Sequence, residues 1–192
     1  MDTIKFQNKY RIPSARAEWH DYNGGVYFIT ICTAGHKHYF GKIENAKMHL
    51  NTLGRVVEDN ILNLKAHYPY AQIDQQVVMP NHLHLIVFVE EYRDDQAVPQ
   101  QERKLQTQAI NQKMQSISQH KGLLSVAMGG LKSAITKQAH LNKIEFGWQE
   151  RFHDHIIQEQ GEYNRISNYI TYNPVLWDAD KFYTEGDISY PF

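Results

Sequence analysis

Two histidines separated by one residue stand out in the apolar stretch of residues 77–87. In a β-strand, residues i and i+2 lie on the same face, so His82 and His84 would be neighbours on a rigid backbone. Two imidazoles arranged in this way can supply two of the three ligands of a metal site. The spacing is also typical of a pair of polar side chains on the solvated face of a sheet, so by itself it does not establish a metal site.

A tyrosine and an asparagine four residues apart, Tyr169 and Asn173, form the second feature. On a helix they would share a face, and Pro174 disfavours helical geometry at the residue before it, which places Asn173 at the helix end. An amide at that position, beside the histidine pair, would complete a three-ligand site with a tyrosine hydroxyl one turn away. The alternative is that Tyr169 is a core aromatic residue and Asn173 a C-cap.

Two further histidine pairs are less informative. His153, Asp154 and His155 lie in a predicted strand, where they could supply alternative ligands, or the carboxylate of Asp154 could orient a metal-binding histidine. His36 and His38 fall in a predicted turn, where spacing fixes no geometry, and we interpret them as surface residues.

These side chains must be positioned by a mixed set of elements. β-Branched and aromatic residues at 26–33 predict a strand, and helical periodicity after Asn51 or Thr52 predicts a helix over 52–67. The break at residues 80–81 predicts a hairpin. The remaining predicted elements are strands at 73–79, His82–Val89 and 152–157, a short strand within 41–50, and helices at Leu123–Leu141 and 159–173. This order predicts an α+β fold, an antiparallel sheet with helices mainly on one face.

The length of 192 residues suits a single domain covering 1–192. Within it, we interpret residues 1–23 as an N-terminal arm, 91–122 as a glutamine-rich insertion, and 178–192 as an aromatic C-terminal tail. Gly129 and Gly130 are a predicted weak point of the helix that contains them.

Composition excludes several classes of protein. Twenty Lys and Arg oppose 21 Asp and Glu, so the chain does not bind nucleic acid by bulk charge. The lone Cys32 excludes an internal disulfide framework and zinc sites built from paired thiolates. Because we find neither a secretory signal nor an apolar run near the ~18 residues of a membrane span, we expect a cytoplasmic protein without a membrane partner.

Taken together, Met-Pro-Asn-His-Leu-His at 79–84 and Tyr-Ile-Thr-Tyr-Asn-Pro at 169–174 resemble the transposases with an HUH motif (His, hydrophobic, His) and a single catalytic tyrosine. The resemblance is closest to the REP-associated tyrosine transposases and transposase-like proteins. Stretches at 27–33, 130–133 and 147–157 support it, and the match runs in order from about residue 11 to 181.

This resemblance implies a ferredoxin-like (RRM-like) sheet with the histidines on a central strand and the tyrosine on a helix nearby. It also implies an endonuclease and strand transferase acting on single-stranded DNA, in which Tyr169 attacks a phosphodiester and forms a 5′-phosphotyrosine link. His82, His84 and Asn173 would hold a divalent ion, Mg²⁺ or Mn²⁺. Two imidazoles favour manganese on ligand grounds, whereas cellular abundance favours magnesium.

The implied partner is single-stranded DNA with a palindromic hairpin, bound by a monomer or a homodimer. Basic residues that could contact DNA phosphates are Lys9, Arg11, Arg16, Lys132, Lys137 and Arg151. Two other functions compete with transposition. One is a hairpin-binding protein that no longer cuts DNA, and the other is a zinc hydrolase that uses the histidine pair, a third ligand such as His155, and water as nucleophile.

Overall fold

The computed structural model describes residues 24–90 and 122–185, so the N-terminal arm, nearly all of the glutamine-rich insertion and the last seven residues lie outside the described part. The strands are β1 (Gly25–Cys32), β2 (Gly41–Glu44), β3 (Lys47–Leu50), β4 (Ala71–Val78), β5 (His82–Val89) and β6 (His153–Ile156). The helices are α1 (Thr52–Leu62), α2 (Leu64–His67), α3 (Leu123–Leu141) and α4 (Gln160–Tyr172), with 3₁₀ turns at Ala34–His36 and Trp177–Ala179.

Four strands form one antiparallel sheet in the order β4-β5-β1-β6. With α1 and α3 as the connecting helices, this is the split β-α-β pattern of ferredoxin-like folds. The α+β prediction is therefore confirmed. Strand β5 is central, hydrogen-bonded to β4 on one side and β1 on the other, so the histidine pair lies on a strand held from both edges.

Alternation along the strands separates two apolar clusters. Tyr27, Ile29 and Ile31 of β1 join the main core with buried residues of α1 and α3. Phe28, between them, packs instead with Ile170 of α4. Two of the three long helices thus cover one face of the sheet, as predicted, and α4 lies against the other face, which also carries His82 and His84.

The β4–β5 hairpin forms as predicted around residues 80–81. It closes with a hydrogen bond from the backbone N–H of Met79 to the carbonyl of His82, at 2.9 Å. The first histidine of the pair is therefore the first residue of its strand, directly after a tight connection.

Two elements differ from the prediction. The helix expected over 52–67 breaks at Asn63, whose backbone angles (φ −89°, ψ 0°) leave the helical region. The single short strand expected within 41–50 is a complete hairpin, β2–β3, turned by the left-handed residues Asn45 and Ala46. Asn51 caps α1 by accepting from the Gly54 N–H at 2.9 Å.

Within residues 24–90 and 122–185, no helix combines the length and apolarity needed to cross a bilayer.

Candidate active site at the histidine pair

His82 and His84 are both fully buried, with ring centroids 4.5 Å apart. Leu83 and Leu85 alternate with them and face the main core. The interpretation of the pair as solvated surface residues is therefore wrong, because α4 and the segment after it cover this face of the sheet.

The His82 ring is held at one nitrogen and free at the other. Its Nδ1 lies 2.8 Å from Oδ1 of Asn81, whereas its buried Nε2 has no hydrogen-bond partner in the described part of the chain. Burial lowers the pKa of His82 to about 4, so the ring is neutral at neutral pH. A neutral imidazole with a bare ring nitrogen is the form that binds a metal ion.

The His84 ring contacts a hydroxyl at each nitrogen. Nδ1 lies 2.9 Å from Oγ1 of Thr30, and Nε2 lies 3.2 Å from the hydroxyl of Tyr169. The ring also stacks on Phe28 with centroids 5.1 Å apart. Burial holds the pKa of His84 well below its usual value, so this imidazole is neutral as well.

Tyr169 reaches the site from the last turn of α4 and is half-buried. Its hydroxyl donates to Oδ2 of Asp180 at 2.9 Å. Burial, and then the negative charge of Asp180, raise the pKa of Tyr169 above its usual value. The phenol is therefore protonated at neutral pH and needs a proton acceptor before its oxygen can act as a nucleophile.

Asn173 is buried and joins the same cluster. Its Nδ2 donates to Oδ2 of Asp180 at 2.8 Å, and its Oδ1 has no partner among the described residues. The side chain therefore does not turn back onto its own helix. Contrary to the expectation from Pro174, the backbone of Asn173 keeps right-handed helical angles, because the chain continues into a turn in which the Val175 and Leu176 N–H groups bond to the Tyr172 carbonyl.

Sequence reasoning missed Asp180. It lies in the segment interpreted as an aromatic tail, seven residues after Asn173 and directly after a 3₁₀ turn. Its Oδ2 accepts from Tyr169 and Asn173, and its Oδ1 accepts from the Phe182 N–H at 2.7 Å. A lone aspartate carries no motif, so only the fold of residues 174–180 brings it to the site.

The cluster could hold a metal ion. One ligand atom each of His82, His84 and Asp180 lie within 4.8 Å of one another, the only such group of three in the ranges 24–90 and 122–185. The unpartnered Nε2 of His82 and Oδ1 of Asn173 are two buried acceptors that a cation would satisfy. Two imidazole nitrogens with an oxygen suit a divalent transition metal such as Mn²⁺.

The histidine pair on β6 lies apart from this group. His155, on the edge strand β6, pairs with Glu162 at 2.7 Å and is more than half exposed. Asp154 stands opposite Ile29 of β1 and so points to the other face of the sheet. A zinc hydrolase that takes His155 as its third ligand gains no support from this placement.

His36 and His38, interpreted as surface residues, are half-buried beside the site. The His36 ring stacks on Phe182, and the His38 ring lies edge-on to Trp177, because the segment after α4 folds over the turn that carries both histidines.

The basic residues predicted to contact DNA are placed unevenly. Lys132 donates to the carbonyls of Gln149 and Glu150, and partial burial lowers the pKa of its ammonium group. Lys137 is exposed on α3, in a shallow groove of about 660 Å³ that Trp148 also lines. Arg151 is exposed just before β6. Lys9, Arg11 and Arg16 lie outside the described residues.

Comparison with solved structures identifies the class of fold. A REP-associated tyrosine transposase bound to a REP hairpin aligns with a TM-score of 0.50 and 19% identity, over 92% of this chain and 94% of its own. The resemblance that the two motifs suggest is thus confirmed at the level of the fold. A protein from Deinococcus radiodurans, described as a transposase candidate, aligns over 83% of this chain and 96% of its own, at 13% identity and a TM-score of only 0.36.

Sequence comparison supplies the family. A protein from Haemophilus influenzae, described as uncharacterized, is 34% identical over 175 residues, which span 90% of this chain and 93% of the relative. The chain belongs to the same protein family as this relative. No model of a known protein family matches the chain.

Proposed function

We propose that this protein is a metal-dependent endonuclease and strand transferase of the transposase type, acting on single-stranded DNA next to hairpins. One observation carries the proposal. The Tyr169 hydroxyl, on a helix packed against the central strand of this fold, lies 3.2 Å from Nε2 of His84, one member of the buried histidine pair. A nucleophile and a pair of ligating imidazoles are the parts that the reaction needs.

In the proposed reaction, the oxygen of Tyr169 attacks a backbone phosphorus atom. The bond from phosphorus to the 3′-oxygen breaks, so one DNA end becomes a 5′-phosphotyrosine and the other leaves as a 3′-hydroxyl once its oxygen gains a proton from solvent. The hydrogen bond to Asp180 gives the phenolic proton an acceptor within 2.9 Å. A phenolate is a better leaving group than an alkoxide, so a second 3′-hydroxyl can reverse the step and join new strands.

His82 and His84 would hold the metal ion, Mg²⁺ or Mn²⁺, together with an oxygen ligand. The sequence predicts Asn173 for that ligand, and the structure adds Asp180 as an alternative. A divalent ion bound there would polarise the scissile phosphate and offset charge in the transition state.

The proposed substrate is a DNA hairpin with a flanking single strand, and the structurally similar transposase is bound to a REP hairpin. Lys137 and Arg151 are exposed cations that could contact phosphates, with Lys9, Arg11 and Arg16 as further candidates. We further propose that the chain acts as one domain, in the cytoplasm where the DNA is, as a monomer or homodimer.

A covalent-trapping experiment tests the proposal. Single-stranded oligonucleotides that carry the hairpins flanking the protein's own gene, labelled at the 3′ end, are incubated with the protein and Mn²⁺ and resolved on a denaturing gel. We expect the 3′ label, and not a 5′ label, to migrate with the protein. Tyr169→Phe should abolish the adduct and leave hairpin binding within a few-fold, because only a hydroxyl is removed.

Tyr172→Phe is the matched control. Tyr172 lies on the same helix and is 57% exposed, so the Tyr172→Phe protein should cleave DNA like the wild type. Loss of the adduct in Tyr172→Phe but not in Tyr169→Phe would show that the nucleophile is misassigned. Tight hairpin binding by the wild type with no adduct in Mn²⁺ or Mg²⁺ would favour the non-cutting binding protein.

A further inference from the structure

Asn81, the residue between the hairpin proline and His82, is fully buried and makes contacts in three directions. Its backbone carbonyl accepts from both the N–H and the hydroxyl of Thr33, at 2.9 and 3.0 Å. Its side-chain Nδ2 lies 2.8 Å from the carbonyl of Phe182 and 3.2 Å from the carbonyl of His36. Its Oδ1 lies 2.8 Å from Nδ1 of His82.

These contacts leave the amide one orientation. Backbone carbonyls only accept hydrogen bonds, so the end of Asn81 that faces Phe182 and His36 must be the donating NH₂ group. The oxygen of the amide then faces His82. An amide oxygen also only accepts, so Nδ1 of His82 must carry the ring proton and Nε2 must carry the lone pair.

His84 is constrained in the opposite way. Because the Tyr169 hydroxyl donates to Asp180, it can only accept from Nε2 of His84, so that nitrogen carries the ring proton and Nδ1 accepts from the hydroxyl of Thr30. Of the two histidines, only His82 therefore has a buried ring nitrogen whose lone pair has no partner among the described residues.

We propose that Asn81 is a positioning residue, which holds His82 in the Nδ1–H tautomer so that its buried Nε2 is free to bind a metal ion. The role toward the metal rests on the proposed function. The role toward the tautomer does not, because it follows from hydrogen bonds within the chain. Groups that orient a ligating histidine in this way typically change metal affinity 10- to 100-fold when they are removed.

The first test measures the wild type without metal. Ring ¹⁵N shifts of His82 in the ¹⁵N-histidine-labelled protein, assigned by comparison with His82→Gln, report which nitrogen carries the proton. We expect Nδ1–H. An Nε2–H ring would overturn the proposal whatever the variants do.

The second test replaces the amide with a side chain of similar size. Asn81→Leu should release the tautomer, shifting His82 toward Nε2–H, and should weaken Mn²⁺ binding at least tenfold, as measured by EPR of free Mn²⁺ on MnCl₂ titration. An unchanged tautomer and unchanged affinity in a folded Asn81→Leu protein would show that Asn81 only holds the turn.

Asn51→Leu is the matched control, because Asn51 also uses both ends of its amide, to Tyr39 and Gly54 at the start of α1. It should lower the melting temperature and leave the tautomer of His82 and the Mn²⁺ affinity unchanged. An equal loss of Mn²⁺ affinity in Asn51→Leu would show that the loss in Asn81→Leu comes from general destabilisation, and would overturn the positioning role. If the wild type binds no Mn²⁺, the proposed metal site fails, while the ring shifts still decide the role of Asn81.

Discussion

At the scale of single residues, burial decides the chemistry of the site. Removing an imidazole from water disfavours its charged form, which is why His82 and His84 are neutral where exposed histidines would titrate near neutral pH. The same burial disfavours the phenolate of Tyr169. One environment thus keeps both imidazoles and the phenol in their neutral forms.

Substitution can identify the oxygen ligand of the proposed metal site. We expect Asn173→Ala to lower Mn²⁺ affinity roughly tenfold or more and to reduce cleavage more than hairpin binding, because its unpartnered Oδ1 is lost. Titration of MnCl₂ followed by EPR measures the affinity, and gel-shift assays measure hairpin binding.

Asn168→Ala is the control for that substitution, since Asn168 is exposed on the same helix and should leave Mn²⁺ affinity unaltered. If Asn173→Ala binds Mn²⁺ like the wild type while Asp180→Asn loses it, the ligand is Asp180 and the prediction from the sequence is wrong.

At this scale the sequence predicts what local spacing can encode. Alternation places His82 and His84 on one face, and the four-residue spacing of Tyr169 and Asn173 brings both side chains to the same cluster. Asp180 could not be found in this way. Its position depends on the path of the chain after α4, which no periodic pattern describes.

At the scale of elements, periodicity predicts the type and core of a segment better than its ends. Strand β5 and helix α3 nevertheless have the predicted bounds. The break at Asn63 is not encoded by periodicity, since the apolar spacing continues through it to Leu64.

The two neighbouring glycines of α3 should respond to alanine in opposite ways. A Cβ at Gly129 meets nothing within 4 Å, so Gly129→Ala should raise the unfolding free energy by about 0.5–1 kcal/mol through helix propensity. A Cβ at Gly130 would overlap the hydroxyl of Tyr68, a half-buried ring packed edge-on to Tyr70. Gly130→Ala should therefore lower the unfolding free energy, by about 1–3 kcal/mol.

Urea unfolding followed by circular dichroism measures both changes. The double variant Tyr68→Phe with Gly130→Ala removes the clashing hydroxyl and should recover part of the loss. Equal destabilisation by the two single alanine substitutions would mean that α3 does not pack on Tyr68 as the structure shows.

At the scale of the whole molecule, the main core and the polar site lie on opposite faces of the sheet. The face covered by α1 and α3 carries the main core, with Leu83 and Leu85 on β5. The face covered by α4 carries a smaller apolar cluster around Ile86 and, next to it, the polar site. Because folding buries the two histidines and disfavours their charged forms, the free energy of unfolding depends on whether these rings are protonated.

That coupling predicts an acid-sensitive fold. The pKa of His82 falls to about 4 on folding and that of His84 also falls, so the unfolded chain binds protons more readily than the native protein does. Stability is therefore fully present above the unfolded pKa of about 6.5 and declines as the pH falls below it. Each histidine adds a slope of up to roughly 1.4 kcal/mol per pH unit, and the contribution of His82 levels off near pH 4.

Urea unfolding of the metal-free protein between pH 8 and pH 4 measures this slope. His82→Gln should flatten it, whereas His140→Gln, at an exposed position on α3, should leave it as in the wild type. A slope that His82→Gln does not change would mean that the ring is solvated and that the buried histidine pair does not exist in solution.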